Sequence, residues 1–352
     1  MKVIHIESGL GNQMLSYCEY LAMKKANPTD DIYIENIVYD IPEAAKVICQ
    51  WNGYELDKVF NINVPNIKHI FSKEQWKEIL EDINNSEYWN KNWNYPVHFT
   101  NAFRNQGIEI ENMRGDFESP DWPIMVKPTN PSLKHKIKDY LNHNTPFLYL
   151  KRIINKINDN NYIPDFSKEA FISSEKNIFT GNKLVFMLKN SKIELIEDEI
   201  RKSFVFPEIT DLKNKEALEY ISEQNAVAIH ARRGDMLGYN YAFYATGYFQ
   251  RAVSYIREHT QSPVFFIFCD PKSVQWAKEN AKTLGLNIRK DEIHFVDWNS
   301  GTDSFRDIQL MAECKHQVIT NSSFGWWGAW LNTNPDKITC SPNRLINTTH
   351  YF

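Results

Sequence analysis

Apolar residues recur along this chain in two rhythms. Short unbroken runs, at Val3–Ile6, Ala226–Ala231, Val264–Cys269, Ile293–Val296 and Gln317–Thr320, have the length and β-branched or aromatic character of buried strands. Between them, apolar positions recur with helical spacing over 12–26, 246–259, 270–285 and 305–315, and again from Ser323 onward. Asp270-Pro271 supplies an N-cap followed by a proline at the first helical position, and Gly285 closes that helix. Residues 132–142 and 183–204 are also predicted helical, and 31–35 a strand. Strands alternating with helices of this length predict βαβ units and a parallel sheet. The expected fold class is α/β, with two Rossmann-like domains facing a central cleft. The first spans 1–215 and the second 216–352. In such sheets ligands bind beyond the carboxyl ends of the strands.

Composition narrows the chemistry. The 352 residues carry 40 Lys+Arg against 44 Asp+Glu, a net charge of −4. A protein that binds nucleic acid in bulk is usually basic, so no nucleic-acid partner is expected. A small phosphorylated ligand needs only a local cationic site and is still allowed. No run approaches 18 apolar residues, and Met1–Ile6 shows no signal-peptide pattern. The expected location is therefore cytoplasmic, with at most peripheral contact with a membrane. The five cysteines are scattered, form no CxxC pair, and read as buried thiols in a reducing compartment.

Three segments carry candidate chemistry. The first is His230-Ala231-Arg232-Arg233-Gly234-Asp235, leaving the carboxyl end of a predicted buried strand. Adjacent arginines there must meet anions, either a phosphate held bidentately or carboxylates across a domain interface. The second is Asn321-Ser322-Ser323-Phe324-Gly325-Trp326-Trp327-Gly328-Ala329-Trp330, where a strand passes into a helix. The serines either cap that helix or leave its N–H groups to an anion. The tryptophans read as core, and Gly325 and Gly328 as sites of close helix–sheet packing. The third is Ser8-Gly9-Leu10-Gly11-Asn12-Gln13-Met14 after the first strand. It is either a phosphate loop or a tight turn with Asn12 as cap. The chain contains no DxD, GxxxxGK[ST], HExxH or GxSxG sequence. No cofactor and no metal are expected.

These segments together resemble glycosyltransferase family 11, the α-1,2-fucosyltransferases. His230–Asp235 is similar to the HxRRxD motif of fucosyltransferases, and Gly9–Met14 to the GLGNQM segment near the family's N-terminus. Asn321–Leu331 is similar to NSSFSWWGAWL, with Gly325 in place of serine. Asp307–His316 and Phe295-Val296-Asp297 resemble two further family elements. Gly115-Asp116-Phe117-Glu118-Ser119 departs from the GYFQS common in the family, and Cys269-Asp270-Pro271 from Ser-Asp-Asp.

The resemblance implies a GT-B-like architecture with the donor in the second domain and the acceptor on the first. It implies transfer of fucose from GDP-fucose, without metal and with inversion, to the 2-hydroxyl of a terminal galactose on a glycan or glycolipid. Arg232 would stabilise the leaving β-phosphate. His230 would reach ribose or phosphate, and Asn321, Ser322, Ser323 and the Phe324 N–H would hold the pyrophosphate. Asp297 would read guanine, and Gly9 and Gly11 would border the donor. Arg233 would meet phosphate or pair with Asp235. Asp235, Asp116 and Glu118 are open candidates for the base, the last two lying with Gln13 on the acceptor side. Asn12 would orient the acceptor hydroxyl or the β-phosphate. Transfer in another linkage or to another acceptor, or a silent GDP-sugar or glycan-binding protein, are the alternatives.

Overall fold

The structure is a computed structural model that describes residues 1–47, 52–117, 130–157, 170–181, 183–188, 191–343 and 345–352. The chain forms two compact units. One gathers Met1–Pro131, Asp165–Phe186 and Asn190–Val205. The other gathers Ser132–Pro164, Met187–Lys189 and Phe206–Phe352.

The first unit holds a four-stranded parallel sheet of β1 (Lys2–His5), β2 (Ile32–Glu35), β3 (Glu111–Asn112) and β4 (Ile178–Thr180). Its strand order is β2-β1-β4-β3. Around it run α1 (Leu10–Ala26), α2 (Leu56–Phe60), α3 (Lys73–Asn85) and α4 (Pro96–Asn105). Ser72 and Gln75 close a reciprocal capping box at the start of α3. Proline occupies the first turn of α4, where no N–H is needed. Val3, Phe99, Phe103, Phe179, Tyr88 and Tyr95 fill the core between sheet and helices.

The second unit holds a six-stranded parallel sheet in the order β10-β9-β8-β5-β6-β7. Its strands are β5 (Asn225–Ala231), β6 (Pro263–Cys269), β7 (Ile293–Val296), β8 (His316–Val318), β9 (Thr339–Ser341) and β10 (His350–Tyr351). In chain order its helices are α5 (Leu133–His143), α6 (Thr145–Ile157), α8 (Leu212–Glu223), α9 (Leu237–Ala245), α10 (Tyr248–His259), α11 (Val274–Glu279), α12 (Phe305–Glu313) and α13 (Ser323–Leu331). Helix α7 (Glu197–Ser203) belongs to the first unit. Helix α10 turns Tyr248, Phe249, Ala252, Val253 and Ile256 inward, one helical stripe. The Tyr248 hydroxyl donates to the Ile319 and Cys340 carbonyls, tying α10 to the ends of β8 and β9.

The α/β class with parallel sheets is as expected, but several details differ. The segment 132–157, placed by sequence in the first domain, packs in the second unit. There His143 of α5 lies against Tyr241 of α9 at 4.9 Å between ring centroids. The helix expected over 183–204 is broken into 3-10 turns at Lys183–Met187 and Ile193–Ile196 before α7. Lys192, at a φ of 58°, takes a left-handed conformation that no helix continues through. The helix expected over 270–285 opens and closes as 3-10 turns around α11, and Gly285 ends it at a φ of 76°. Among the described residues no helix is long and apolar enough to cross a membrane.

Candidate active site

Strand β5 delivers His230 and the two arginines to the carboxyl edge of the second sheet, beside the start of α13. Thr320 donates to the His230 carbonyl, which joins the end of β8 to that of β5. The His230 imidazole is buried and lies over the Phe324 ring at 5.8 Å. Burial, reinforced by the Arg232 charge and opposed by Asp270, pushes its pKa down to about 3. His230 is therefore a neutral imidazole at neutral pH. Its Nδ1 has no hydrogen-bond partner among the described residues. Gly325 makes this placement possible. A Cβ there would stand 2.3 Å from Nδ1 and 2.8 Å from Cγ. The ring fills the space that a serine side chain would need.

Arg232 lies between two carboxylates, 2.9 Å from Asp235 Oδ1 and 2.9 Å from Asp270 Oδ1. Its carbonyl accepts from Asn240 Nδ2 and the Tyr244 hydroxyl, both on α9. The backbone is thus pinned on one side and the guanidinium on the other. Asp270 also accepts from the Arg233 N–H at 3.0 Å. Gly234 leaves room for it, since a Cβ there would stand 3.0 Å from the Asp270 carboxyl carbon. The sequence predicts a helix cap at Asp270, but its side chain serves the arginines instead.

Arg233 stacks its guanidinium on Trp276 at 3.5 Å, with Tyr244 at 5.1 Å. Of the alternatives left open for Arg233, pairing with Asp235 is not seen, because Arg232 takes that partner. The carboxylates that satisfy Arg232 come from its own unit rather than from across an interface.

Helix α13 begins at Ser323, with Ser322 at the N-cap in extended backbone and no side-chain cap. The capping alternative for Ser322 is thus not realised, and the helix presents its N-terminal dipole end beside His230. Asn321 is held through its Oδ1 by Asn343 at 2.7 Å. Trp326, Trp327 and Trp330 are buried as core. Gly325 packs against strand β5 as anticipated. Gly328 instead allows helix–helix approach, since a Cβ there would stand 2.7 Å from Met311 of α12.

Asp297 follows β7 and forms an exposed ion pair with Lys278 at 2.9 Å. A second carboxyl nearby is absent from the sequence-based candidates. Asp307, half-buried at the start of α12, accepts from Asn299 at 2.8 Å. Burial pushes its pKa up to about 7, with the Asn299 hydrogen bond working the other way. Asp270, Asp307 and Asp297 all add to the burial that pushes the Cys269 thiol up to about 12. Three carboxyls therefore surround the ends of β6 and β7.

In the first unit, α1 starts at Leu10 with Gly9 at its N-cap, so Asn12 lies inside the first turn rather than capping it. The left-handed residue of the turn is Ser8, at a φ of 65°, not a glycine. Its carbonyl is held by the Gln13 amide at 2.9 Å and the Tyr39 hydroxyl at 2.6 Å. Gln13, expected on the acceptor, is buried. It also donates to the Gly53 carbonyl and accepts from the Glu55 N–H. Its amide is committed to shaping the loop. Gly11 is buried in the same turn. Asp116 pairs with Arg104 at 2.8 Å on the surface, and Glu118 lies outside the described residues.

Beneath this loop lies a buried charge network that is likewise absent from the sequence-based candidates. His5 pairs with Glu35 through Nδ1 and approaches Glu7 and the Tyr95 hydroxyl through Nε2. Glu7 pairs with Lys183 at 2.7 Å. Burial opposes the His5 charge, but Glu35 and Glu7 outweigh it and raise its pKa to about 9. The available signal is the alternation Val3-Ile4-His5-Ile6-Glu7, which puts His5 and Glu7 on one face of β1 and its continuation.

Among the described residues no three His, Cys, Asp or Glu side chains are grouped to hold a metal ion.

A helix N-terminus without a side-chain cap from Ser322 and a guanidinium fixed at a strand end are the two groups with which an α/β sheet can hold an anion. The family model for glycosyl transferase family 11 matches residues 127–349, and the chain belongs to that family. An α-1,2-colitosyltransferase of Escherichia coli is 32% identical over 151 residues, 42% of this chain and 49% of the relative. Galactoside alpha-(1,2)-fucosyltransferase 1 of Saimiri sciureus is 26% identical over 110 residues, 30% of this chain and 28% of that protein. The match thus spans about half, or less, of these relatives' length. NodZ alpha-1,6-fucosyltransferase, crystallised with GDP, superposes with a TM-score of 0.44 at 12% identity, over 98% of this chain and 96% of its own.

Proposed function

We propose that this chain transfers L-fucose from GDP-β-L-fucose to the 2-hydroxyl of a terminal galactose on a glycan or glycolipid precursor. The reading rests on one observation. Arg232, oriented by Asp235 and Asp270, lies at the end of β5, the strand whose His230 packs against the start of α13. That arrangement suits a diphosphate leaving group.

In a single inverting displacement, charge grows on the β-phosphate as the glycosidic bond breaks. Arg232 is assigned to that phosphate. The Ser322 and Ser323 hydroxyls and the Phe324 N–H, with Asn321 beside them, are assigned to the pyrophosphate. His230, being neutral, serves as a hydrogen-bonding group toward ribose or phosphate. Arg233, flat on Trp276, borders the same site. Asp307 is preferred over Asp297 for guanine, because it is half-buried whereas Asp297 is exposed and paired with Lys278. Asp235 orients Arg232 and is not assigned as the base. No metal takes part in the proposed reaction.

The decisive experiment measures GDP release from GDP-fucose with and without lactose as acceptor, and identifies the product linkage by NMR. Acceptor-dependent release with an α-1,2 linkage is expected. GDP binding without release would instead favour a silent GDP-sugar-binding protein, and another linkage would retain only the donor. The name of the Escherichia coli relative favours testing a second donor, GDP-colitose, whose sugar lacks the 3-hydroxyl of fucose.

A further inference from the structure

An amphipathic helix in a globular protein ordinarily turns its apolar stripe toward the core. The hairpin of α5 and α6 does the reverse. On α5, Leu133, Ile137 and Tyr140 recur at spacings of four and three, and no residue of the helix is buried. On α6, Leu148 is buried, whereas Leu150, Ile153 and Ile154 lie on the opposite side. These six outward side chains are between 45% and 74% exposed. Scattered exposed leucines are common, but six large apolar residues exposed within one helical hairpin are a concentration that calls for an occupant.

Charge identifies the occupant. Residues 132–157 contain six cations, Lys134, Lys136, Lys138, Lys151, Arg152 and Lys156, and one acid, Asp139. The hairpin thus carries a net charge of +5 in a chain whose net charge is −4. On α5 the lysines at 134 and 136 flank the apolar stripe on either side, as the helical spacing dictates. An apolar stripe bordered by lysines is the pattern of a helix lying in a membrane interface, with its stems among the acyl chains and its ammonium groups at acidic headgroups. A docked protein helix would need an apolar groove but not this density of one charge.

We propose that the α5–α6 hairpin docks on a bilayer surface bearing acidic lipids. Helix α5 rests on α9, the helix whose Asn240 and Tyr244 hold the Arg232 carbonyl. Docking there would present the site of the second unit to substrates carried on lipid.

The test uses the full chain and sedimentation with large vesicles. One set is phosphatidylcholine alone. The other contains about one-third phosphatidylglycerol. Binding to acidic vesicles should exceed binding to neutral ones at least about tenfold and weaken as salt is raised. Two variants separate the contributions. Leu150→Ser/Ile153→Ser/Ile154→Ser removes the stripe of α6, and Lys134→Gln/Lys136→Gln/Lys138→Gln removes charge from α5. Each should weaken vesicle binding at least about tenfold. Their melting temperature and GDP affinity, as checks on folding, should be unchanged. A full chain that stays in the supernatant with acidic vesicles would overturn the proposal, as would variants that sediment like the parent. So would a dimer in solution that the apolar variant converts to monomer, since that assigns the face to a second copy.

Discussion

Gly325→Ala tests the most specific contact in the donor-side site. In most helices a glycine-to-alanine change stabilises, by about 1 kcal/mol. Here the added methyl carbon would stand 2.3 Å from His230 Nδ1 and 2.8 Å from its Cγ. The ring is buried and lies over Phe324, so it cannot retreat without repacking. Overpacking of this kind costs about 1–3 kcal/mol. Set against the helical gain of about 1 kcal/mol, the net is a loss of up to about 2 kcal/mol. For a unit of this size that lowers the melting temperature by up to roughly 8 °C. On the proposed donor role GDP affinity should fall with it, by up to about fivefold if half of that loss is carried to the bound nucleotide. In a His230→Ala background the 2.3 and 2.8 Å clashes are gone, and only a 3.1 Å approach to the Cβ of residue 230 remains. Gly325→Ala should be near neutral there, the helical gain of about 1 kcal/mol being set against that remaining tight approach. The coupling between the two positions, read by calorimetry on all four proteins, should be about 1 kcal/mol or more. Additive effects, or a Gly325→Ala variant that melts at or above the parent with unchanged GDP affinity, would show that the ring is not held where the structure places it.

Three other outcomes are expected. Arg232→Lys keeps the charge but loses the planar fork that reaches Asp235 and Asp270 at once. It should lower kcat by about 10²–10³ while weakening GDP-fucose binding much less, with the melting temperature near the parent's. If Asp307 accepts from guanine as a carboxylate, GDP affinity should decline as pH falls from 8 to 6, because its pKa lies at about 7. In Asp307→Asn that slope should disappear and preference over ADP and UDP should shrink. In the first unit, the His5 pKa is raised from 6.5 to about 9, so its stabilising contribution is fully present below 6.5 and lost as pH rises through 9. Calorimetry from pH 6.5 to 10 should show a falling melting transition, and His5→Gln/Glu35→Gln should flatten it.

The central strands of the second sheet were legible because a strand buried on both faces must be apolar throughout, and few other local structures produce such runs. Strands β3, β4, β9 and β10 were not legible. Two or three residues carry no periodicity, and only their neighbours in the sheet define them. Helix α9 was missed for a different reason. Leu237-Gly-Tyr-Asn-Tyr-Ala-Phe-Tyr-Ala has apolar and aromatic residues on every side and no capping residue, so it shows neither a stripe nor a start.

The candidate site of the second unit was legible as residue types and positions, not as pairings. Two arginines at a strand end predict anions, but not which anions. The sequence neighbour Asp235 was one of two partners open to Arg233, yet a turn at Gly234 brings Asp235 to Arg232 instead. The second partner, Asp270, comes from the end of β6, 37 residues beyond Arg233, where the sequence pattern indicates a helix cap. Their exposure separates what these two carboxylates can do. Asp270 is buried and also holds the Arg233 N–H, so it fixes the arginine whether or not an anion is present. Asp235 is open to solvent, where an ion pair contributes little and can be exchanged. On the proposed function, a phosphate approaching Arg232 would compete with the exposed carboxylate and leave the buried one in place. The guanidinium keeps its orientation and changes one partner, as a group poised for charge that develops on a leaving diphosphate requires.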